Sequence, residues 1–425
     1  MGETVRVGVL GCGNVGAALI QLLQTQGDEI EARTGLRLEV TRVAVRSASR
    51  ERPVELAEGV LTTDAAGVVK DPEVDIVVEM IGGIEPAREL IVAALEGGKP
   101  VVSANKELLA NFGAELFSAA EKAGVDLLFE AAVAGGIPLI RPLRESLVGE
   151  RITRVMGIVN GTTNYILTRM SEEGADYSDA LAEAQRLGYA ERDPTADVEG
   201  FDAGAKAAII ASIAFGVRVV AGDVYHEGIS GITAADIAFA SRLGYVVKLL
   251  AIAERVDGEV GVRVHPAMVP VAHPLASVRE SYNAVFVEGE AVGNLMFYGR
   301  GAGGMPSASA VLGDLIDAGS NLRRGSSASV GALAKVRIRS IDEASSEYYL
   351  NLEVADRAGV LAAVAGVLAA HDVSIRAMEQ DGLGDEARLI FITHTARESD
   401  VQATLRDLRE LDAVDRIGSL LRVIS

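Results

Sequence analysis

Asp202 and Lys206 stand four apart in the string Gly200-Phe201-Asp202-Ala203-Gly204-Ala205-Lys206. On a helix that spacing puts both on one face, acid first, which is the favourable order. The neighbours Ala203, Gly204, Ala205, Ala207 and Ala208 are small and apolar, whereas a surface ion pair is usually set among polar residues. An aspartate would hold the lysine in its charged form, and burial would push the other way. A charged lysine can give a proton to a developing alkoxide; a neutral one can take a proton from an alcohol. The competing reading is a solvated salt bridge on a helix surface, which contributes little. A second lysine, Lys106, closes Ser103-Ala104-Asn105-Lys106 after an apolar run. At the end of a parallel strand it would lie on the carboxyl edge, where ligands sit in open α/β sheets. The five histidines, at 226, 265, 273, 371 and 394, form no comparable cluster, and no HExxH or paired-histidine spacing occurs.

Gly11-Cys12-Gly13-Asn14-Val15-Gly16 is a GxGxxG run between an apolar strand pattern and an amphipathic helix. The first glycine permits a tight turn, the second lets backbone approach a pyrophosphate, and the third lets helix pack on strand. Amides at the helix start would then hold the phosphates, so Gly11, Gly13, Asn14, Val15 and Gly16 are expected to bind a dinucleotide. The alternative is a turn with incidental glycines. The second strand should end near Val45, where an NAD site usually shows an acid. Here Arg46 and Ser47 follow, with Arg50 beyond. A guanidinium suits a ribose 2′-phosphate, so NADPH is the expected cofactor, with NADH as a further possibility and a solvated arginine as the alternative for Arg46.

These residues need elements to hold them. Over the first ~135 residues, Val5 to Leu10, Leu38 to Val45, Asp75 to Ile81, Lys99 to Ala104 and Val125 to Phe129 alternate with amphipathic stretches, a strand–helix repetition that predicts a parallel sheet. From ~140 to ~300 the pattern becomes α+β. Leu181 to Leu187, Asp202 to Phe215 and Ala234 to Ala253 are expected helices; Val260 to Val264 and Ala284 to Glu288 are expected strands. A glycine-rich run, 299–304, opens a small-residue helix through Leu315, and 319–344 is expected to be a linker. In the last 80 residues Tyr348, Leu350, Leu352 and Val354 alternate with Tyr349, Asn351 and Glu353, the pattern of a half-buried strand. Asp356 is the expected cap of the next helix, two strands are expected around Gly382 to Gly384, and the order reads βαββαβ.

Composition narrows the class. Forty Lys plus Arg against sixty Asp plus Glu leave a net charge of −20 over 425 residues, the wrong sign for a phosphate backbone, so no nucleic-acid partner is expected. The apolar stretch Ala207 to Val217 is too short for the ~20 residues that span a bilayer, and the first apolar run leads straight into the glycine loop. A cytoplasmic chain with no membrane partner is expected. The only cysteine, Cys12, excludes an internal disulfide and a cysteine-built zinc site.

At this point the motifs resemble a known family, homoserine dehydrogenase of the long bacterial form with a C-terminal ACT domain. They are GCGNVG at 11–16, SANKELLA at 103–110, FEAAVAGGIPLI at 129–140, NGTTNYIL at 160–167, GYAERDPTADVEGFDAGAK at 188–206 and FYGRGAGGMPSASAVLGDL at 297–315. The resemblance covers essentially the whole chain; the 188–206 string is specific and the glycine loop is not. It implies an α/β protein: a Rossmann domain over 1–135, an α+β catalytic and dimerisation domain over 136–318 with 300–318 returning to the first, the linker, and an ACT domain over 345–425. It implies reversible reduction of L-aspartate 4-semialdehyde to L-homoserine with NAD(P)H, on the route to threonine and methionine. It implies that Lys206 is the proton donor to the carbonyl oxygen and that Lys106, beside nicotinamide and substrate, shares the task. Glu191 would bind the substrate ammonium, Asp197 and Asp202 would order the site, and Gly303 would touch the cofactor. A monovalent cation, sodium in the family, would be held by Glu130 and the carbonyls of Val133, Gly135 and Ile137. The loop 356–361 matches the ACT ligand turn, with threonine near Gly359 as effector; the alternative is an ACT unit that serves only for oligomerisation. A homodimer or higher oligomer is expected.

Three rival readings fit the same architecture less well. Aspartate-semialdehyde dehydrogenase needs a cysteine nucleophile, and Cys12 lies in the phosphate loop. Another NADP oxidoreductase would act on a different alcohol, yet the acids at 191–202 suit an amino-acid substrate. A non-catalytic sensor would need neither lysine.

Overall fold

The computed structural model describes residues 3–328, 330–382 and 386–424. Its first sheet has six strands in the order Leu61–Thr62, Leu36–Ala44, Glu3–Leu10, Ile76–Glu79, Val101–Ser103, Leu127–Leu128, every neighbour parallel. Ile76, Val77 and Val78 are fully buried, as a strand covered on both faces must be. The chain works outward on one side of Glu3–Leu10 and then crosses to build the other side from Ile76–Glu79. That reversal opens a crevice at the carboxyl end of the first strand, the switch point of a Rossmann domain.

The helix Gly304–Arg324 returns to this domain, where Ala308, Val311, Leu312, Leu315 and Ala318 share a core with Val5, Val7, Val9 and Leu19. It runs on past residue 319, where connecting chain was expected. Gly319 is buried, and a Cβ there would stand 3.3 Å from Leu36 Cδ1, so the helix is still packed on the first sheet at 319 and its last turn, 322–324, is exposed.

A second sheet of eleven strands carries the rest. Its first part, Gly293–Arg300, Tyr282–Gly289, Ile152–Ile158, Tyr245–Val256 and Glu259–Pro270, is antiparallel. The expected helix over Ala234 to Ala253 splits in two. Residues Ala234–Arg242 are helical, Gly244 takes φ +82°, and Tyr245–Val256 is a strand. Apolar residues run through both halves, so periodicity alone could not part them; the glycine and the branched Val246-Val247 that follow it are the signal.

The same sheet continues into the last domain through Val414–Val423, Ser345–Ala355, Glu386–Thr393 and Ile375–Gly382, with helices Val360–Ala370 and Glu398–Arg409 completing βαββαβ. The seam is a short parallel pairing of Ala267 with Arg422 and Met268 with Val423. The two strands expected around Gly382 to Gly384 are Ile375–Gly382 and Glu386–Thr393, and Gly384 itself lies outside the described residues. Two expectations fail here. The cap of Val360–Ala370 is Gly359, at φ +93°, and not Asp356. The strand Ser345–Ala355 is buried on both faces: Tyr348, Leu350, Leu352 and Val354 face the two helices, while Tyr349 and Asn351 meet the helix Ala234–Arg242. Their polar atoms and Ser419 Oγ donate to the buried Asp236 at 2.9, 3.0 and 2.7 Å. The polar half of the alternation marks a second interface, not a wet face.

Candidate active site

Lys106 begins the helix Lys106–Ala123 directly after the strand Val101–Ser103, and Asn105 caps that helix by accepting from the Leu108 amide at 3.1 Å. Lys206 sits one turn after Asp202 on Phe201–Phe215, a helix entered through Gly200 at φ +84°. The two lysines, a hundred residues apart, meet on one carboxylate. Lys206 Nζ donates to Asp202 Oδ2 at 2.7 Å and to the Val159 carbonyl at 2.7 Å. Lys106 Nζ pairs with Asp202 Oδ1. Asp202 and Lys206 are buried; the Lys106 side chain is 45% exposed, so the cluster opens on its side. Two of the three Lys206 donors are spent, which leaves one for a bound oxygen.

The charges settle one another. Burial alone would raise Asp202, but the two ammoniums outweigh it and hold the carboxyl well below the usual range. Burial would lower Lys106, and Asp202 overrides it, so this amine lies above its ordinary value. Asp197 stands a little apart: burial raises its carboxyl, against the hydrogen bond from Asn160. Asn160 ties the set together. Its Oδ1 caps the helix Gly161–Glu173 at the Thr163 amide, 2.9 Å, and its Nδ2 reaches Asp197 Oδ1 at 2.6 Å and Asp202 Oδ2 at 2.9 Å.

The glycine loop borders the crevice of the first sheet. A Cβ on Gly11, at φ +101°, would stand 2.7 Å from the Met80 carbonyl, and one on Gly16 would stand 2.4 Å from the Gly11 carbonyl. Both positions require glycine. At Gly13 a Cβ would meet nothing within 4 Å, and no side chain caps the helix Asn14–Thr34 that starts there. Open space in front of uncapped amides fits a pyrophosphate. Gly303, at φ +124°, heads the helix Gly304–Arg324, and a Cβ on Gly304 would lie 3.2 Å from the Asn14 carbonyl, so a second helix start abuts the loop. Opposite, the buried Glu79 accepts from the amides of Ile81 and Gly82 at 2.7 and 3.1 Å and from Ser103 Oγ at 2.7 Å. Asn105 Nδ2 donates to the Gly83 carbonyl at 2.6 Å. These bonds fix the 81–83 turn beside Lys106.

Sequence reasoning named Lys106, Lys206, Asp197 and Asp202, which converge. It assigned no role to Asn160, Glu79, Ser103 or Asn105. The motif NGTTNYIL held one signal, an asparagine before Gly-Thr-Thr at a helix start. Glu79, ending a fully apolar strand, held another.

The remaining named residues lie apart from this cluster. Glu191 is exposed in the loop before Thr195–Val198, where its carbonyl accepts from Gln185 Nε2 at 3.0 Å. Arg46 is exposed beyond the second strand, in a loop braced by Arg52, whose Nη1 donates to the Arg50 carbonyl at 2.7 Å. Burial pushes the Cys12 thiol up and Arg52 pulls it partly back, which sets that guanidinium near the glycine loop. Val133, Gly135 and Ile137 are buried in a turn where a Cβ on Gly135, at φ +60°, would stand 2.3 Å from the Gly301 carbonyl. The Glu130 carboxylate there accepts from the amides of Leu139, Ile140 and Arg141 at 2.5, 2.7 and 2.9 Å. Among the described residues no group of three or more His, Cys, Asp or Glu side chains is placed to hold a metal. Gly359 lines a separate cavity of about 280 Å³ with Asp356, Arg357 and Gln380. No described helix is long and apolar enough to cross a membrane.

Comparison with known proteins matches this division. Residues 11–130 fit the model "Homoserine dehydrogenase, NAD binding domain", 138–316 fit "Homoserine dehydrogenase", and 348–413 fit "ACT domain". A homoserine dehydrogenase of Corynebacterium glutamicum is 52% identical over 99% of this chain and 96% of its own. The crystal structure of a homoserine dehydrogenase from Thiobacillus denitrificans superposes with a TM-score of 0.94 at 44% identity, covering 100% of this chain and 99% of that one. A hyperthermophilic archaeal homoserine dehydrogenase in complex with NADPH, 29% identical, covers 74% of this chain and 98% of its own with a TM-score of 0.64. These matches, two of them over nearly the full length of both chains, make this chain a member of the homoserine dehydrogenase family, an NAD(P)-dependent oxidoreductase that interconverts L-homoserine and L-aspartate 4-semialdehyde and carries a C-terminal ACT domain.

Proposed function

We propose that Lys206 is the acid–base residue of this reaction and that Lys106 shares its work. The observation that carries the assignment is Asp202 clamped between both amines at the edge of the glycine crevice. A nicotinamide dinucleotide bound in that crevice supplies the hydride chemistry. As the aldehyde is reduced, the unspent Lys206 N–H donates its proton to the carbonyl oxygen; in the reverse direction the amine takes it back from the alcohol. Asp202 stays ionised throughout and stabilises the ammonium. Positioned proton transfer of this kind contributes about 10²–10⁴-fold in rate.

Homoserine also carries an ammonium, and Glu191 is the acid assigned to it. Because Glu191 is exposed in the present arrangement, this role requires the 187–194 loop to fold over bound substrate. Asp197 orders the site through Asn160. Arg46 favours NADPH over NADH by meeting a 2′-phosphate, and Gly303 borders the cofactor. A monovalent cation belongs at the turn 133–137, held by the carbonyls of Val133, Gly135 and Ile137. The Glu130 carboxylate is committed to three amides, so its share of the ligation falls to its carbonyl oxygen. Threonine is the effector assigned to the cavity at Gly359, where the start of Val360–Ala370 can meet a carboxylate. The enzyme works as a cytoplasmic homodimer or larger oligomer.

One assay tests the core of this reading: reduced-nicotinamide absorbance with homoserine, each cofactor in turn, with and without threonine. Turnover that prefers NADP and falls with threonine is expected. No turnover with homoserine would overturn it.

A further inference from the structure

Arg422 lies on the last strand of the ACT domain and is almost fully buried. Its Nε and Nη2 donate to the two oxygens of Glu398 at 2.8 and 2.7 Å, within its own domain. Its Nη1 leaves that domain and donates to Glu227 Oε2 at 2.8 Å. Glu227 belongs to a short segment of the middle domain, and that segment is pressed against the residues that carry the site. A Cβ on Gly228 would stand 2.3 Å from the Val198 carbonyl, and the Ile229 amide donates to the same carbonyl at 2.8 Å. The His226 ring packs on Phe201 with centroids 4.3 Å apart. Val198 follows Asp197, and Phe201 precedes Asp202. Few covalent and packed steps therefore separate the ACT arginine from the carboxylate held by both lysines.

We propose that Glu227 is a positioning residue, through which Arg422 of the ACT domain fixes the 197–202 segment in its substrate-binding geometry. The Glu227 amide is anchored separately, by donating to the Val264 carbonyl at 2.8 Å on the sheet. Backbone pairing sets where the segment runs, and the Arg422 contact sets how firmly 226–229 bears on 197–201. Glu227 is the right place to cut, because its side chain is 35% exposed and its loss leaves the Glu398–Arg422 pair intact. The inference rests on the reading of Asp197, Asp202 and Lys206 as the active site.

The test uses the full chain with Glu227→Ala, Glu227→Gln and Glu227→Asp. For Glu227→Ala a five- to tenfold rise in the homoserine KM is expected, with kcat within twofold and the NADPH Kd unchanged. Glu227→Gln keeps an acceptor for Arg422 and should return KM to within threefold of the parent. Should the alanine variant not fold, Glu227→Asp, which draws the carboxylate back by one methylene, is expected to raise KM at least threefold. A KM within twofold of the parent in the alanine variant, or in the aspartate variant where alanine does not fold, would overturn the proposal. So would a KM and an NADPH Kd that rise together, the mark of general loosening. Lys206→Ala with full turnover would remove the site reading instead, whatever Glu227 does.

Discussion

Among the described residues, two ion triads share a buried central charge and are built on opposite plans. At the site one aspartate, Asp202, lies between two lysines; at the domain junction one arginine, Arg422, lies between two glutamates. Burial works against the central charge in both, and in both the partners win: Asp202 is held low, and Arg422 is held above its already high value. The direction of a shift therefore does not tell a catalytic triad from a structural one. Access does. Arg422 is 2% exposed and spends three of its five N–H donors inside the joint, where Glu398 also accepts from Tyr348 Oη at 2.9 Å and Gln402 Nε2 at 2.9 Å. Lys206 keeps one donor in reserve, and Lys106 is half open. Chemistry needs an unsatisfied donor with access; a joint needs neither.

The strongest way to break this comparison is at the joint. Arg422→Met should leave Glu398, 1% exposed, without its cation, at a cost of about 3–5 kcal/mol in folding stability. Urea unfolding of the purified variant measures it; a loss below about 1 kcal/mol, the scale of surface pairs, would show that the junction is solvated in solution. At the site the expected effect falls on rate. Lys206→Ala should lose at least two decades of turnover, the lower end of the ~10²–10⁴ range for positioned proton transfer, with NADPH binding retained in a fluorescence titration. A drop below tenfold would reduce Lys206 to a second structural pair. Smaller again is Glu191→Gln, whose lost charge-assisted contact of about 1.5–3 kcal/mol should raise the homoserine KM by one to two decades. An unchanged KM would move the ammonium site elsewhere.

What the sequence made legible follows the range of the interactions. The glycine loop, the strand run into Lys106 and the Asp202–Lys206 helix are local patterns, and each stands where its spacing put it. Asn160 was illegible because its bonds reach 37 and 42 residues ahead, to Asp197 and Asp202. Tyr349 and Asn351 looked solvent-facing because the helix that covers them supplies Asp236 from more than a hundred residues earlier. Arg422 carries no local signal; the parallel seam with Glu259–Pro270 brings it to Glu227. Period-two and period-three patterns report which face is covered, not by what.

The least disruptive probe works on the open lysine. Asp202 contributes most to holding Lys106 above its ordinary value, and Asp197 adds a weaker pull through space. Asp197→Asn removes that pull and still offers Asn160 a carbonyl oxygen, so the geometry should survive. The sign follows from the charge. With one anion fewer the ammonium is less favoured, the Lys106 pKa falls, and the proton-donating form is lost at a lower pH. The alkaline fall in aldehyde-reduction turnover should therefore move toward neutrality, by less than about one unit, since a direct charge partner shifts a group by 1–3 units and Asp197 is the more distant. Stability has the same sense: a raised amine contributes in full below its unfolded value and loses that contribution as pH rises through the folded one, so the variant should also unfold earlier on the alkaline side. A turnover limb that stays in place would show that the Asp197 charge does not reach the titrating donor. A limb that moves upward would mean that Asp197 acts on the site by some route other than its charge.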